Sequence, residues 1–455
     1  MKKVITYGSF DLFHEGHYRL LQRAKALGDY LIVGVTTEQY DEARGKLNVV
    51  DSLMERIDHV RQTGFADKIL IEDHVGQKVE DIQKYDIDIF TVGSDWAGKF
   101  DHYREYCEVI YLERTKGISS TMLRGQNFGI VRLGIIGSGR IAKRFLPEIK
   151  YVSGIHAEAI YNPHIESAKE LAEANELEIY TDKIEILYEH ANAIYIAAPH
   201  NTHYGYAKDA LLHGKHVLCE KPLVLKEREA KELFGIAKEK NLVLTEALKT
   251  AYAPGFAKMI TIAKSGNIGR IVDVEAAFTK LVGEGGRELK KEENGGSFTE
   301  LGSYPLLVIF KLLGTDYQSV KFTVFVNAEG VDLYTKVDIR YKKAVASIKV
   351  GLGVKTEGNL IISGTNGNMV AEAPWWMTKN FEIHYEDTEQ NEKFFAKYAG
   401  QGLRYEISAF VAQINGYQKK IFMTDKESIA LSRFMELFLD EKTEKEMIYM
   451  EKERC

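Results

Sequence analysis

The chain has 455 residues, with 60 Lys and Arg against 66 Asp and Glu, a net charge of −6. Such a length calls for several domains rather than one core, and the weakly acidic balance excludes a nucleic-acid coat and a polybasic membrane anchor. No run approaches the roughly eighteen apolar residues of a membrane span, and three scattered cysteines, Cys107, Cys219 and Cys455, exclude a disulfide framework or a zinc site.

The chain opens directly on an apolar run, Val4-Ile5-Thr6-Tyr7, with no leader-like segment before it. A cytoplasmic protein with reduced thiols is expected. From 1 to about 125, apolar strands at 3–7, 30–35, 68–72, 87–92 and 108–112 alternate with helical patterns at 16–27, 51–63 and 77–84. That alternation predicts a parallel sheet covered on both faces. Arg124 to Gly129 reads as a linker. The same alternation resumes with strands at 131–136, 157–161, 193–197, 215–219 and 242–246. After about 268, longer alternating runs at 271–281, 320–326, 333–341 and 344–352 predict a mainly antiparallel sheet. Helical pattern returns at 303–313, 403–417 and 425–440, and the charged tail from Glu441 reads as a solvated helix end. The expected fold is thus α/β, α/β, then α+β, with domains at 1–126, 130–250 and 251–455.

The first strand-to-helix turn reads Gly8-Ser9-Phe10-Asp11-Leu12-Phe13-His14-Glu15-Gly16-His17. Glycine permits close ligand approach, and the helix start favours an anion. His14 and His17 can donate hydrogen bonds to a polyphosphate there. Their spacing and the intervening glycine do not fit the zinc-protease His-Glu-x-x-His pattern. A second run, Arg114-Thr115-Lys116-Gly117-Ile118-Ser119-Ser120-Thr121, offers cations and hydroxyls for a second phosphate clamp.

Together these runs resemble the glycerol-3-phosphate cytidylyltransferases, as does Gly93-Ser94-Asp95-Trp96-Ala97-Gly98-Lys99-Phe100-Asp101 between them. The resemblance spans residues 1 to about 125. It implies that Gly8, Ser9 and Phe10 line the CTP site and that His14 and His17 stabilise the attacked α-phosphate. It places Asp95 and Trp96 near the base, Lys46 on substrate or CTP phosphates, and Arg114, Ser119, Ser120 and Thr121 on the β,γ-phosphates. Relatives usually carry more than one lysine around position 46, where this chain has Arg44 and Lys46. Magnesium is expected to accompany the CTP phosphates.

Gly137-Ser138-Gly139-Arg140-Ile141-Ala142 follows an apolar strand and opens a helix, a Gly-x-Gly-x-x-Ala dinucleotide turn. The next strand ends in Asn162, where an acid would hold the ribose, which leaves NAD and NADP both open. Pro199-His200-Asn201-Thr202-His203 and Cys219-Glu220-Lys221-Pro222 each end a strand at the ligand-binding edge. This combination, with Gly295 to Tyr304 downstream, resembles the glucose–fructose oxidoreductase/inositol dehydrogenase family over about 130–440. The resemblance implies hydride transfer at a sugar or polyol carbon, with Lys221 as acid/base helped by Tyr304. Pro199, His200, Asn201, His203 and Glu220 would flank the cofactor. Glu300 stands where the family has aspartate. The Gly283–Gly296 segment reads as a surface excursion, and Trp375-Trp376 as packing.

The combined expectation is a bifunctional enzyme. It would reduce a sugar or ketose phosphate with NAD(P)H and transfer CMP from CTP to the resulting polyol phosphate, forming a CDP-polyol of the CDP-glycerol or CDP-ribitol type. One alternative makes the C-terminal part a non-catalytic nucleotide-binding scaffold. Another makes it a dehydrogenase of a nucleotide-linked sugar. Partners are expected to be small molecules and a second copy of the chain, with no nucleic acid or membrane.

Overall fold

The computed structural model describes residues 1–47, 49, 51–113, 130–283, 285–416 and 422–449. Arg114, Ser119, Ser120 and Thr121, the expected second phosphate clamp, lie outside them.

Three sheets organise the chain. The first has five parallel strands in the order Lys68–Glu72, Tyr30–Thr36, Lys3–Gly8, Ile89–Gly93 and Glu108–Leu112. Val4, Ile5 and Thr6 are fully buried, because helices cover both faces of the central strand. The helix Glu15–Ala26 turns Leu21 and Ala24 into that core and ends on Arg23 and Lys25, whose charges suit a helix C-terminus. The helix Leu53–Gln62 starts with a capping box between Ser52 and Glu55. Strand order reverses between Lys3–Gly8 and Ile89–Gly93. A crevice opens at such a reversal, outside the carboxyl ends of the strands. The turns after Gly8 and Gly93 therefore face each other across it.

The second sheet has six parallel strands: Leu244–Ala247, His216–Glu220, Ala193–Ile196, Val131–Ile136, Ile155–Tyr161 and Ile179–Thr181. Its order reverses between Val131–Ile136 and Ala193–Ile196. The turns at 137–140 and 197–203 flank that point.

The third sheet has nine strands and is mixed. Ile271–Thr279 runs parallel to Val345–Gly351, Ser319–Val326 runs parallel to Lys445–Tyr449, and the other pairings are antiparallel. Phe298, Phe322, Phe434 and Phe438 meet in the core between this sheet and its helices. Trp375 is buried with Nε1 donating to Ala277 O at 2.8 Å, and Trp376 stacks on Phe278 at 3.7 Å, so this pair is packing.

One expectation fails here. Residues 445–449 are not a helix end but an edge strand on Ser319–Val326. Lys-Glu-Met-Ile-Tyr carries little helical periodicity, and a distant strand supplies its partner. Among the described residues no helix is long and apolar enough to cross a membrane.

A backbone seam stitches the first two modules together. Leu47 N donates to Tyr151 O at 2.8 Å and Ser153 N to Leu47 O at 2.9 Å, a parallel bridge between Leu47 and Val152. Beneath it Arg404 makes a bidentate pair with Glu148 at 2.8 and 2.9 Å, donates to Gly45 O at 3.4 Å and lies 3.8 Å over the Tyr151 ring. Arg404 and Glu148 are both buried, and the guanidinium holds the Glu148 carboxyl below its usual range against the effect of burial. Lys397 adds a bond to Ala43 O.

Candidate active sites

The first site forms at the carboxyl edge of the first sheet. His14 is the N-cap of the helix Glu15–Ala26, and its Nδ1 accepts from Gly16 N at 3.0 Å. An imidazole whose Nδ1 accepts keeps its proton on Nε2, as a donor. A Cβ at Gly16 would stand 2.8 Å from the His14 ring, so the cap requires glycine. His17 stacks on His14 at 4.0 Å and rests between Phe10 and Phe13, each at 5.5 Å. Burial, then His14 and Lys46, push its pKa well below the ordinary histidine range. A neutral ring there can still donate one hydrogen bond. Burial also lowers Lys46, and its Nζ donates to Lys150 O at 3.2 Å. Asp11 braces the turn: its Oδ1 accepts from Asp51 N, while Asp51 Oδ2 accepts from Leu12 N, both at 2.8 Å.

Gly8 and Ser9 lie on the crevice turn, but Phe10 is buried under Gly8 as a floor, with φ of +51°. Across the crevice Asp95 is exposed and Trp96 half-buried.

The second site lies at the reversal of the second sheet. Gly137 has φ of +97°, and a Cβ there would meet Ala197 O at 2.4 Å. Gly139 caps the helix Arg140–Ile149, has no atom within 4 Å of a would-be Cβ, and no acid occupies the helix's first turn. Such a cradle fits a pyrophosphate. Asn162 donates from Nδ2 to Ser138 Oγ at 2.8 Å, tying the second strand to the glycine turn. Ile141 packs at the edge of the module's core.

Lys221 is largely buried, and its Nζ donates to Glu300 O at 2.8 Å and lies 3.7 Å from Glu300 Oε2. His200 Nε2 is 3.8 Å from Glu300 Oε1, and Arg287 donates to that oxygen at 3.3 Å. Burial, then Lys221, push His200 well below its ordinary pKa. Burial, then Glu220 and Glu406, push the Tyr304 hydroxyl up, so it stays protonated at neutral pH. Pro199 and Asn201 lie on the turn carrying His200.

Two expected ligand contacts have other tasks. Both ring nitrogens of His203 lie 2.9 Å from backbone carbonyls, Pro222 O and Ala198 O, and the neutral ring donates to one of them. With no accessible surface, His203 is a strut between the two loops rather than a cofactor contact. Glu220 turns inward and accepts from Tyr195 OH at 2.7 Å. Its side chain is buried beneath the strand end rather than open to the crevice.

The segment after Gly283 departs from expectation. Glu288 is buried against Arg140 of the dinucleotide turn, and Arg287 reaches Glu300. The segment is a strap joining the cofactor turn to the Lys221 centre. Its alternating charges in sequence gave no sign of these partners, which lie 13 and 148 residues away. Glu406 was also missed. It is fully buried, and burial followed by Glu220 pushes its carboxyl well above the usual range.

Below Lys221, Glu246 Oε1 accepts from Leu223 N at 3.0 Å, and burial pushes its carboxyl from 4.5 to about 7. A raised carboxyl contributes stability that is complete below its unfolded pKa and lost as pH rises through about 7. Glu246→Gln, which mimics the protonated form and does not titrate, should therefore gain on the wild type as pH rises. Urea unfolding between pH 4 and 8 should show a gain approaching about 3 kcal/mol, since each tenfold change in an ionisation constant is worth roughly 1.4 kcal/mol. A difference independent of pH would refute this.

Comparison with known proteins follows the same division. Residues 5–126 match the cytidylyltransferase-like family model, 131–248 the NAD-binding Rossmann fold of the Gfo/Idh/MocA oxidoreductases, and 256–370 that family's C-terminal domain. The chain is 52% identical to the glycerol-3-phosphate cytidylyltransferase of Bacillus spizizenii over 124 residues, 27% of this chain and 95% of the relative. The chain belongs to the cytidylyltransferase-like family, fused to Gfo/Idh/MocA oxidoreductase domains.

The oxidoreductase part is 27% identical to the scyllo-inositol 2-dehydrogenase (NADP(+)) of Bacillus subtilis over 266 residues, 57% of this chain and 80% of the relative. It shares its fold with a 3-ketoreductase from Actinomadura kijaniata solved with NADP and TDP-benzene. The TM-score is 0.63 at 22% identity, covering 71% of this chain and all of that one. The cytidylyltransferase–oxidoreductase is thus an enzyme with a nucleotidyltransferase and an oxidoreductase module.

Proposed function

We propose that the two modules perform consecutive steps: the oxidoreductase reduces a ketose or aldose phosphate to a polyol phosphate, and the transferase converts that product to a CDP-polyol. The seam carries this reading, since it fixes the Lys46 loop of one module against the Rossmann domain of the other.

In the transferase, an acceptor phosphate oxygen attacks the α-phosphorus of CTP. The new P–O bond forms as the bond to pyrophosphate breaks, and pyrophosphate leaves. His14 Nε2 and His17 donate to the α-phosphate oxygens as negative charge shifts through them. Lys46 offsets the charge of the phosphates, and magnesium arrives with CTP. Gly8 and Ser9 border the nucleotide, and Asp95 and Trp96 close the opposite wall. Arg114, Ser119, Ser120 and Thr121 are assigned to the β,γ-phosphates on the sequence resemblance.

In the oxidoreductase, Gly137, Ser138, Gly139 and Arg140 hold the dinucleotide, with Asn162 at its ribose. A reduced nicotinamide supplies hydride when bound. Lys221 holds a proton at Nζ, oriented by Glu300, for the carbonyl oxygen of the substrate. Tyr304 offers a second donor, and His200 borders the same space.

A second reading has support in the relatives. A dTDP-3,4-didehydro-2,6-dideoxy-alpha-D-glucose 3-reductase from Actinomadura kijaniata is 30% identical over 199 residues, so the oxidoreductase would act on a nucleotide-linked sugar. One mass-spectrometric assay separates the two. The protein receives CTP, magnesium, NADH and NADPH with a panel of ketose phosphates, with preformed glycerol 3-phosphate in a parallel tube and nucleotide-linked ketosugars in a third. A CDP-polyol that forms from a ketose phosphate only with reduced cofactor is the expected result. A product from glycerol 3-phosphate alone, with reduction confined to nucleotide-linked ketosugars, would overturn the coupled pathway and leave the transferase assignment standing.

A further inference from the structure

We propose that Lys150, from the oxidoreductase module, is an acceptor-phosphate contact of the transferase site and helps set its specificity. The inference rests on the transferase reading above and extends it to a residue outside the transferase module.

Arg44 stands where relatives usually have another lysine, but it is turned away to buried acids. Its Nη2 is 2.7 Å from Asp41 Oδ1, its Nη1 4.0 Å from Glu72, and its guanidinium lies 4.6 Å from the Tyr40 ring centroid. Within residues 40–47, Lys46 is then the cation left for the acceptor.

The neighbouring module supplies another. The seam places Lys150 directly against the Lys46 loop, and Lys46 Nζ bonds its carbonyl at 3.2 Å. The Lys150 ammonium extends to the far wall of the crevice, 3.2 Å from Asp95 O and 5.2 Å over the Trp96 ring. Lys99 reaches the same ring at 4.9 Å and donates to Tyr151 OH at 2.8 Å. Tyr151 meets Trp96 edge-on at 6.1 Å.

Lys99 and Lys150 thus converge on one indole, with Lys46 bonded to the backbone of Lys150 beside them. The partners of the three ammonium groups are two carbonyls, a phenol and aromatic faces, and among the described residues no carboxylate lies within ion-pair distance. An ammonium has three donors, so one bond to a carbonyl leaves Lys150 able to bind an anion. Asp41 and Asp11 already act on Lys46, but Lys99 and Lys150 make no ion pair among the described residues, and such cations beside a nucleotidyl-transfer centre match a phosphomonoester dianion. A neutral polyol would find no use for them.

The test uses the full chain. Lys150→Met, Lys150→Arg and wild type are assayed for pyrophosphate release with whichever of glycerol 3-phosphate and the pentitol 5-phosphates the wild type turns over fastest. Lys150→Met should raise KM for that acceptor about tenfold or more, with KM for CTP and NADPH binding by fluorescence within about twofold of wild type. Inorganic phosphate should inhibit wild type competitively with acceptor, and Lys150→Met more weakly. Lys150→Arg should restore most of the lost affinity. An unchanged acceptor KM in Lys150→Met would overturn the proposal. So would a rise in KM for CTP equal to or larger than that for acceptor, which marks a contact with the nucleotide beside Trp96 or a residue that only supports the seam. Failure of the wild type to release pyrophosphate with any phosphomonoester would instead refute the transferase reading itself.

Discussion

His17→Ala should cut the rate of CDP-product formation by roughly 10²- to 10³-fold, the usual cost of removing one donor to a developing negative charge. The ring is held by His14 on one face and by Phe10 and Phe13 beside it, so its position is preorganised. Its depressed pKa keeps it neutral at pH 7, and it gains a proton only well below the ordinary range. The transferase rate should therefore show no inflection from this group in the ordinary histidine range. KM for CTP should change little, because the donor acts mainly in the transition state. NADPH binding should be untouched, since the second module does not use the ring. Product measured by mass spectrometry at saturating CTP decides the matter: a fully active His17→Ala protein would remove this histidine from the chemistry.

Lys221→Met should lower hydride transfer by about 10²- to 10⁴-fold, the range for loss of a positioned acid. Lys221 Nζ is held by the Glu300 carbonyl inside a largely buried site, so an aliphatic replacement keeps the stem and loses only the donor. The second donor, Tyr304, does not compensate fully, because burial holds its hydroxyl far from titration at neutral pH. NADPH oxidation with the ketose phosphate of that panel that the wild type reduces fastest is the readout. Pyrophosphate release from CTP with a preformed polyol phosphate should be unaffected. Retention of the full reductase rate would show that Lys221 only braces the strap and Glu300.

Both centres were legible in sequence where local chain geometry makes them. The Gly8–His17 and Gly137–Ala142 turns carry their glycines, histidines and helix starts within ten residues, and the strands before them are short apolar runs. What escaped depends on distant partners. His203 reads as a ligand-edge histidine until two carbonyls are seen to occupy its ring. Glu288 reads as surface charge until Arg140 is found against it, 148 residues away. The strand at 445–449 exists because Ser319–Val326 offers it an edge. Arg404 and Glu148 lie 256 residues apart, and neither helix signals the other in its periodicity.

The helix Arg140–Ile149 starts at the dinucleotide turn and ends on the seam. Ten residues of α-helix measure about 15 Å. With the assignments proposed above, this one helix, with Pro147 in its last turn, sets the spacing between the cofactor's pyrophosphate and the acceptor's phosphate. Its far end is locked by Glu148 to Arg404 and by Val152 to Leu47. The helix is then a ruler as well as a scaffold, since its length fixes how far apart the two modules' ligands sit.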